Sequence, residues 1–464
     1  MKIRVNRSRI VLLAAAMLLV GLPPVLGMLT ESAVRARAES LREEGRLLVT
    51  VEEFDRGWFS SRALLSIEPD PEGDRARQAL IGFVEPMRVA AAFKHGPLSV
   101  QDGLFFGLSE LRARPAVAAD GRTIEAPFDF DFRAQSTFGG DVNFVGEIMP
   151  FDSASDGFAL SFSGGRFRGT LAGEHVQAVV DADALQYTQG GATYSLLGLR
   201  GSADAERVSD LVMPGTFRLL IDRLSLDIGE ANRRTVFELR ALGVESSTAL
   251  DTAGERLGGA VRVELERLRL AGGTEITGAR LNAAAERLGV AALDAYSKAA
   301  ARAGENGAPL ADEVQPAVLR LLAEGPAASI DRLRFAVNGE TFEASARAAA
   351  DPAALPPGGT ADIRDPALWM AVLGGRAEAA VAKSLVEQIA IAVAKSQIGG
   401  RIMAGESMPD QSIEALARTQ AGLAIALLSA QGLIEDAGDV YRTVLQLENG
   451  RLTVNGQPLP FGLP

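Results

Sequence analysis

The side chains with the means to do chemistry are few: two histidines, one pair of serines and several adjacent carboxylates. His95 sits in His95-Gly96-Pro97, and His175 follows Gly173-Glu174. Histidine can serve as a general base or a metal ligand. These two are far apart and neither has a neighbour at ligand spacing. His95 beside Gly96-Pro97 reads as a residue that fixes a turn, and His175 as a solvated turn side chain. Ser60-Ser61 has no Lys or His at a known nucleophile spacing. Glu43-Glu44 and Glu52-Glu53 lie in charged runs of the kind that form solvated faces. A glycosidase pair would have to be assembled by tertiary structure. Phosphate-cradling patterns are missing from the sequence. There is no cysteine, which removes thiol catalysis, Cys-ligated zinc and iron–sulfur clusters. No catalytic, cofactor-binding or metal-ligating residue is predicted, and the chain reads as something other than an enzyme.

Composition bounds the elements that could position such groups. With 464 residues and 47% hydrophobic content, two or three domains with real cores can form. Charged residues make up 23%, so global disorder is not expected. The net charge is −12, yet Lys2, Arg4, Arg7 and Arg9 precede any acidic residue. The rest of the chain is therefore more acidic still. Such a body repels nucleic acid, and no basic stripe interleaved with aromatics offsets this. It is also repelled by an anionic membrane surface, so lipid contact should be apolar.

Ile10 to Leu29 is a run of twenty uncharged residues. At about 1.5 Å per residue it is long enough for a hydrocarbon core of roughly 30 Å. The basic residues before it place the amino terminus in the cytoplasm. A cleaved signal peptide is the rival reading, with Ala36-Arg37-Ala38 as the small-x-small site. The run is longer than an ordinary signal core and that site lies well beyond it. The expectation is an anchor at 10–29, a cytoplasmic tip and anchor over 1–30, and a helical stalk over 31–46.

From Leu47 the pattern alternates. LLVTVEEF and SRALLSIEP flank Asp55-Arg56-Gly57-Trp58 and predict a hairpin. Trp58 is expected to pack against the sheet, with a partner surface or membrane interface as the alternative. Short alternating runs continue at 128–138, 141–148 and 167–173. Three later segments, 216–230, 260–275 and 328–344, share one strand–turn device. Helices are predicted over 281–303, 311–324, Pro366–Ile398 and about 411–433. The apolar face Leu416, Ala417, Ala421, Leu423, Ala424, Leu427 and Leu428 of the last helix is expected in a packed core rather than in a second membrane span. Ala350 to Asp365 reads as a linker. The chain closes on a hairpin whose Asn449-Gly450 loop suits a type I′ turn. That loop sets Glu448 opposite Arg451, Leu447 opposite Leu452, Gln446 opposite Thr453 and Leu445 opposite Val454.

Three segments, with the amino-terminal apolar run, carry a family resemblance. They are Arg56-Gly57-Trp58-Phe59-Ser60-Ser61, His95-Gly96-Pro97-Leu98 and the terminal stretch holding Asn449-Gly450 and Asn455-Gly456. In this order the chain resembles the YdgA-like family of bacterial envelope proteins, whose function is unknown. The resemblance implies an inner-membrane anchor, a periplasmic body and no catalytic residues to carry over.

The expected fold class is α+β. A transmembrane helix leads to a large, mostly antiparallel β-sheet body over 47–349, with helices near 281–324. The linker 350–365 and a helical segment over 366–464, closing in the β-hairpin, complete it. The expected function is a single-pass, inner-membrane, periplasmic binding or scaffolding protein of the cell envelope. The sharper version holds lipid or another apolar ligand on a one-sided sheet. The alternatives are an assembly protein oligomerising through its carboxy-terminal helices and, third, a hydrolase. Membrane contact through 10–29 and a lipid or envelope-protein partner are expected, with no cofactor; the oligomeric state is left open.

Overall fold

The computed structural model of the chain describes residues 28–32, 34–36, 38–39, 47–69, 87–96, 98–99, 105–116, 128–155, 157–209, 212–229, 234–306, 309–356, 361–402 and 410–458. The expected anchor, apart from its last two residues, lies outside them, as do residues 40–46 of the expected stalk and Pro97. By internal contacts the chain divides into two compact units, Met1–Asp204 and Ala205–Pro464.

The amino-terminal unit is built on antiparallel strands. They are β1 (Leu47–Arg56), β2 (Ser60–Pro69), β3 (Met87–His95), a small pair β4 (Leu98–Ser99) and β5 (Phe105–Phe106), β6 (Ser109–Pro115), β7 (Phe130–Ser136), β8 (Val142–Ile148), β9 (Phe151–Ser155), β10 (Phe158–Phe162), β11 (Gly165–Ala172) and β12 (His175–Gln189). Neighbours run β1–β2–β3–β6–β7–β8–β11–β12, and β10 pairs with both β12 and β9. Strict alternation drives this. In β3, Met87, Val89, Ala91, Phe93 and His95 are all buried, on one face. Residues 28–39, α1, are helical at every described position. This helix is more than a free stalk: Val34 packs on Ala63, Ala91 and Phe93, and Ala38 is buried.

The strand β13 (Ala192–Glu206) contains the dividing point. The carboxy-terminal unit is an antiparallel meander of β14 (Gly215–Ile228), β15 (Arg234–Leu250), β16 (Arg256–Leu270), β17 (Glu275–Gly289), β18 (Ala327–Val337), β19 (Glu340–Ala350) and β20 (Leu373–Ala382). It ends in β21 (Glu435–Ala437), β22 (Val440–Glu448), β23 (Arg451–Val454) and β24 (Gln457–Pro458). Helices α2 (Val290–Asn306) and α3 (Leu310–Ala323) fall between β17 and β18. Helix α4 (Pro366–Val372) precedes β20, and α5 (Lys383–Ile402) and α6 (Asp410–Ala430) follow it. One core gathers Leu322, Ala350, Leu368 and Val372, and another sets Ala394 and Ile398 against Ala417.

Three helix expectations need correction. Residues 281–289 are strand, because β17 is held on both edges by β16 and β18. The helix expected over Pro366–Ile398 is interrupted: Asp365 caps Pro366–Val372, after which Leu373–Ala382 crosses between β19 and β22 as a strand. In α6 the buried face is Ala417, Ala421 and Ile425, while Leu416, Leu423, Leu427 and Leu428 are exposed. Small residues let α5 and α6 approach closely, which turns the leucines outward. The terminal hairpin has the expected register, with Leu447 opposite Leu452 and Leu445 opposite Val454. Its loop residues Asn449 and Gly450 have φ of 50° and 73°, as a type I′ turn requires.

Candidate functional site

An apolar opening lies in the amino-terminal unit. Side chains from β1, β2, β3, β6 and β7 face inward together, among them Val49, Leu65, Ile67, Met87, Val89 and Leu111. Phe128, Phe130, Phe132 and Phe167 supply the aromatic part. Phe132 and Phe167 stack with ring centroids 5.9 Å apart, and Phe128 stacks on Phe151 at 5.4 Å. Thr30, Val34 and Ala38 of α1 line its other side. The resulting cavity is about 800 Å³, and Asp131 and Glu147 are the acids on its lining. Asp131 is engaged by Arg112 at 2.9 Å and Arg114 at 2.7 Å, and Glu147 by Arg166 at 3.1 Å. Their charges are met by these arginines, so the apolar character of the interior stands.

Two of the sequence motifs meet beside this cavity. In the β2–β3 pair Ser60 lies opposite Lys94 and Ser61 opposite Phe93. The Ser61 Oγ then lies 2.8 Å from His95 Nε2, and both residues are only 1% exposed. Burial pushes the His95 imidazole below its ordinary range and so favours the neutral ring. His95 Nδ1 is buried and finds no hydrogen-bond partner among the described residues. A serine–histidine contact is where nucleophilic catalysis begins, but the base needs an orienting partner and the serine needs access. Among the described residues neither condition is met, and the pair forms a buried polar tie between two strands.

The backbone reinforces it. His95 N–H donates to the Phe59 carbonyl at 2.8 Å, Gly57 N–H to Ser60, and Gly96 N–H to Leu108. Gly96 leaves no room for a side chain, since a Cβ would fall 1.8 Å from the Gly107 carbonyl oxygen. Arg56 reaches Glu31 of α1 at 3.6 Å. The sequence expected Trp58 against the sheet. Instead, Trp58 and Phe59 are each 55% exposed at the β1–β2 tip, because the tight Gly57–Ser60 turn points them off the end of the strands.

Asn449, Gly450, Asn455 and Gly456 lie in the carboxy-terminal unit. Asn449-Gly450 forms the hairpin turn. Asn455 accepts from the Val444 N–H at 2.7 Å and donates to the Gly432 carbonyl at 2.8 Å, which ties the last strands to the end of α6. Gly456 comes next, in the β23–β24 turn. His175, expected to be solvated, lies 2.7 Å from Asp204, and their hydrogen bond holds the Asp204 carboxyl below its usual range. No group of His, Asp and Glu that could hold a metal ion occurs among the described residues.

Sequence reasoning missed Glu238. It is 3% exposed, with Arg240 at 2.8 Å, Arg223 at 2.9 Å and Arg269 at 4.0 Å. Burial alone would raise its carboxyl. The Arg240 hydrogen bond and the charges of Arg223, Arg240 and Arg269 outweigh burial and hold it low. The alternation of Arg and Glu across β14, β15 and β16 was the available signal.

Fold and site together define an antiparallel-sheet protein with a helix-covered apolar cavity. Residues 8–461 match the family described as bacterial protein of unknown function (DUF945), and the chain belongs to that family. No curated protein and no solved structure matches it.

Proposed function

We propose that this protein is a membrane-anchored binding protein of the bacterial envelope that holds the acyl part of a lipid in its amino-terminal cavity. The observation that carries the reading is the cavity of about 800 Å³ between large apolar side chains and α1. That volume falls within the roughly 300–1,000 Å³ usual for ligand pockets. An acyl chain entering it would leave few polar groups unpaired. Residues 10–29 would anchor the protein in the inner membrane as a single pass, with the bulk periplasmic, as the resemblance to YdgA-like proteins implies. Native mass spectrometry on the purified full-length protein tests this. Wild type is expected to carry lipid, and Ala113→Trp, which fills the cavity from a half-buried lining position, is expected to lose it. Lipid-free wild type, or unchanged lipid in the variant, would overturn the reading.

A second reading has its own observation. The α5–α6 pair exposes Ile389 and Val393 on one helix and Leu423 and Leu427 on the other, with Leu423 at 67%. Gln411–Ala430 is also long and apolar enough to cross a membrane. A role in assembly through these helices predicts self or partner adducts on crosslinking in intact membranes, and a clean monomer would exclude it.

A further inference from the structure

We infer that the Trp58-Phe59 tip of the first hairpin is a second membrane contact, inserting its aromatic side chains among the lipid headgroups. The inference rests on residues 10–29 being the anchor, and four observations support it. First, Arg56, at the base of the tip, lies 3.6 Å from Glu31, and Glu31 stands two residues beyond the apolar run that ends at Leu29. A chain leaving the bilayer at Leu29 has therefore travelled only about 3 Å along a helix before it reaches the hairpin. Second, Met28 and Leu29 are themselves exposed, as are Trp58 and Phe59, so the apolar surface is continuous in kind with the run before it.

Third, the tip is tied down by hydrogen bonds. Gly57 N–H closes the turn on Ser60 at 2.8 Å, the Phe59 carbonyl accepts from His95 at 2.8 Å, and the buried Ser61–His95 contact locks the strand below. A preordered loop loses little entropy on docking. The chemistry is the fourth observation. Trp prefers the membrane–water interface, where its ring is apolar and its indole N–H stays wet, while Phe, with no polar atom, favours the hydrocarbon just beneath. An acidic protein gains nothing from charge at an anionic surface, and Arg56 is already paired with Glu31, so apolar insertion is the mode open to it. The tip and the anchor would then fix the tilt of the amino-terminal unit on the bilayer, with the cavity-lining strands β1 and β2 rising from the surface.

The chain has two tryptophans, Trp58 and Trp369, and Trp369 donates its indole N–H to Ile363 inside the other unit. This makes Trp58 a usable depth reporter. Full-length protein and its Trp58→Phe variant are reconstituted in phosphatidylcholine vesicles carrying bromine at a shallow or a deep acyl position, and both are washed at alkaline pH. The expected result is loss of wild-type emission with shallow bromine, a smaller loss with deep bromine, and no loss in the variant. Retention through the wash with equal quenching in both proteins would overturn the second contact while leaving the anchor intact. Release by the wash would overturn the anchor and this inference together.

Discussion

Each unit has a hollow of nearly equal size, about 800 Å³ in the first and about 790 Å³ in the second, and they are made in opposite ways. The first is an open hollow lined by large apolar side chains of the sheet and by α1. The second exists because side chains are missing: Ala284, Ala328, Ala348, Gly374 and Gly375 line it. Its edge carries Asp331, Arg347 and Arg376, with Arg347 and Asp331 at 3.5 Å. An acyl chain in the first hollow touches hydrocarbon and aromatic rings. In the second it would strip water from exposed ionised groups, Asp331, Arg347 and Arg376. Volume is common to both, so the lining decides what each can hold.

The most severe disruption of this comparison should come from Gly96→Ala, which drives a methyl into the Gly107 carbonyl at the end of β3, beside the tip of the first hairpin. We expect a loss of about 3 kcal/mol in the amino-terminal unit, toward the upper end for overpacking. Hydrogen exchange resolved by segment should show lost protection in β2 and β3 and unchanged protection in β15 and β16. Equal loss in both units would mean that they unfold as one.

The carboxy-terminal counterpart is Glu238→Ala, which leaves three arginines facing each other. Those arginines keep partial solvent access, so the expected loss is about 2 kcal/mol rather than the full penalty for breaking a buried pair. Denaturant unfolding tracked by the same segment-resolved exchange gives the value. Protection in β15 that is unchanged by the variant would show the cluster to be energetically idle.

Acid should separate the units further. The His95 imidazole is held below its ordinary value of 6.5, so the unfolded chain binds its proton first. Its contribution to the amino-terminal unit is complete above about pH 6.5 and drains away as pH falls from there through the folded value. The Glu238 carboxyl is held below 4.5, so its contribution to the other unit is complete above about pH 4.5 and is lost only below that. Between about pH 6.5 and 5 the first unit should weaken while the second does not. Ser61→Ala should cost about 1–2 kcal/mol and leave both imidazole nitrogens without partners. A flat stability profile for the first unit across this range would refute the role given to His95.

Legibility in the sequence divides in the same way, between local and distant causes. The terminal register was readable because a two-residue Asn449-Gly450 loop dictates every pair beyond it. The first hairpin was readable from the alternating runs on either side of Asp55-Arg56-Gly57-Trp58, though not its register, which shifts between Val51 and Glu53. Residues 281–289, with Asn282 and three alanines, have a local preference for helix, which pairing on both edges of β17 overrides. Leu373–Ala382 was lost in the same way. Ser61 and His95 are 34 positions apart, and only the β2–β3 register brings them into contact. The cavity was foreshadowed by one-sided strands, but its cover was not, since α1 read as a stalk leaving the body.

The smallest effect tests the second hollow itself. A Cβ at Gly374 would meet nothing closer than the Leu447 carbonyl oxygen at 3.8 Å, ordinary contact. In a strand, replacing glycine by alanine restricts the unfolded chain, so Gly374→Ala should stabilise the carboxy-terminal unit by about 0.5 kcal/mol. Ala113→Trp in the first hollow, by contrast, should displace a ligand. If Gly374→Ala also removed a bound molecule from the purified protein, the second hollow would be a binding site in its own right. The contrast between an apolar container and a gap left by small residues would then have to be redrawn. A slight rise in the unfolding midpoint, with bound lipid unchanged, is the expected outcome.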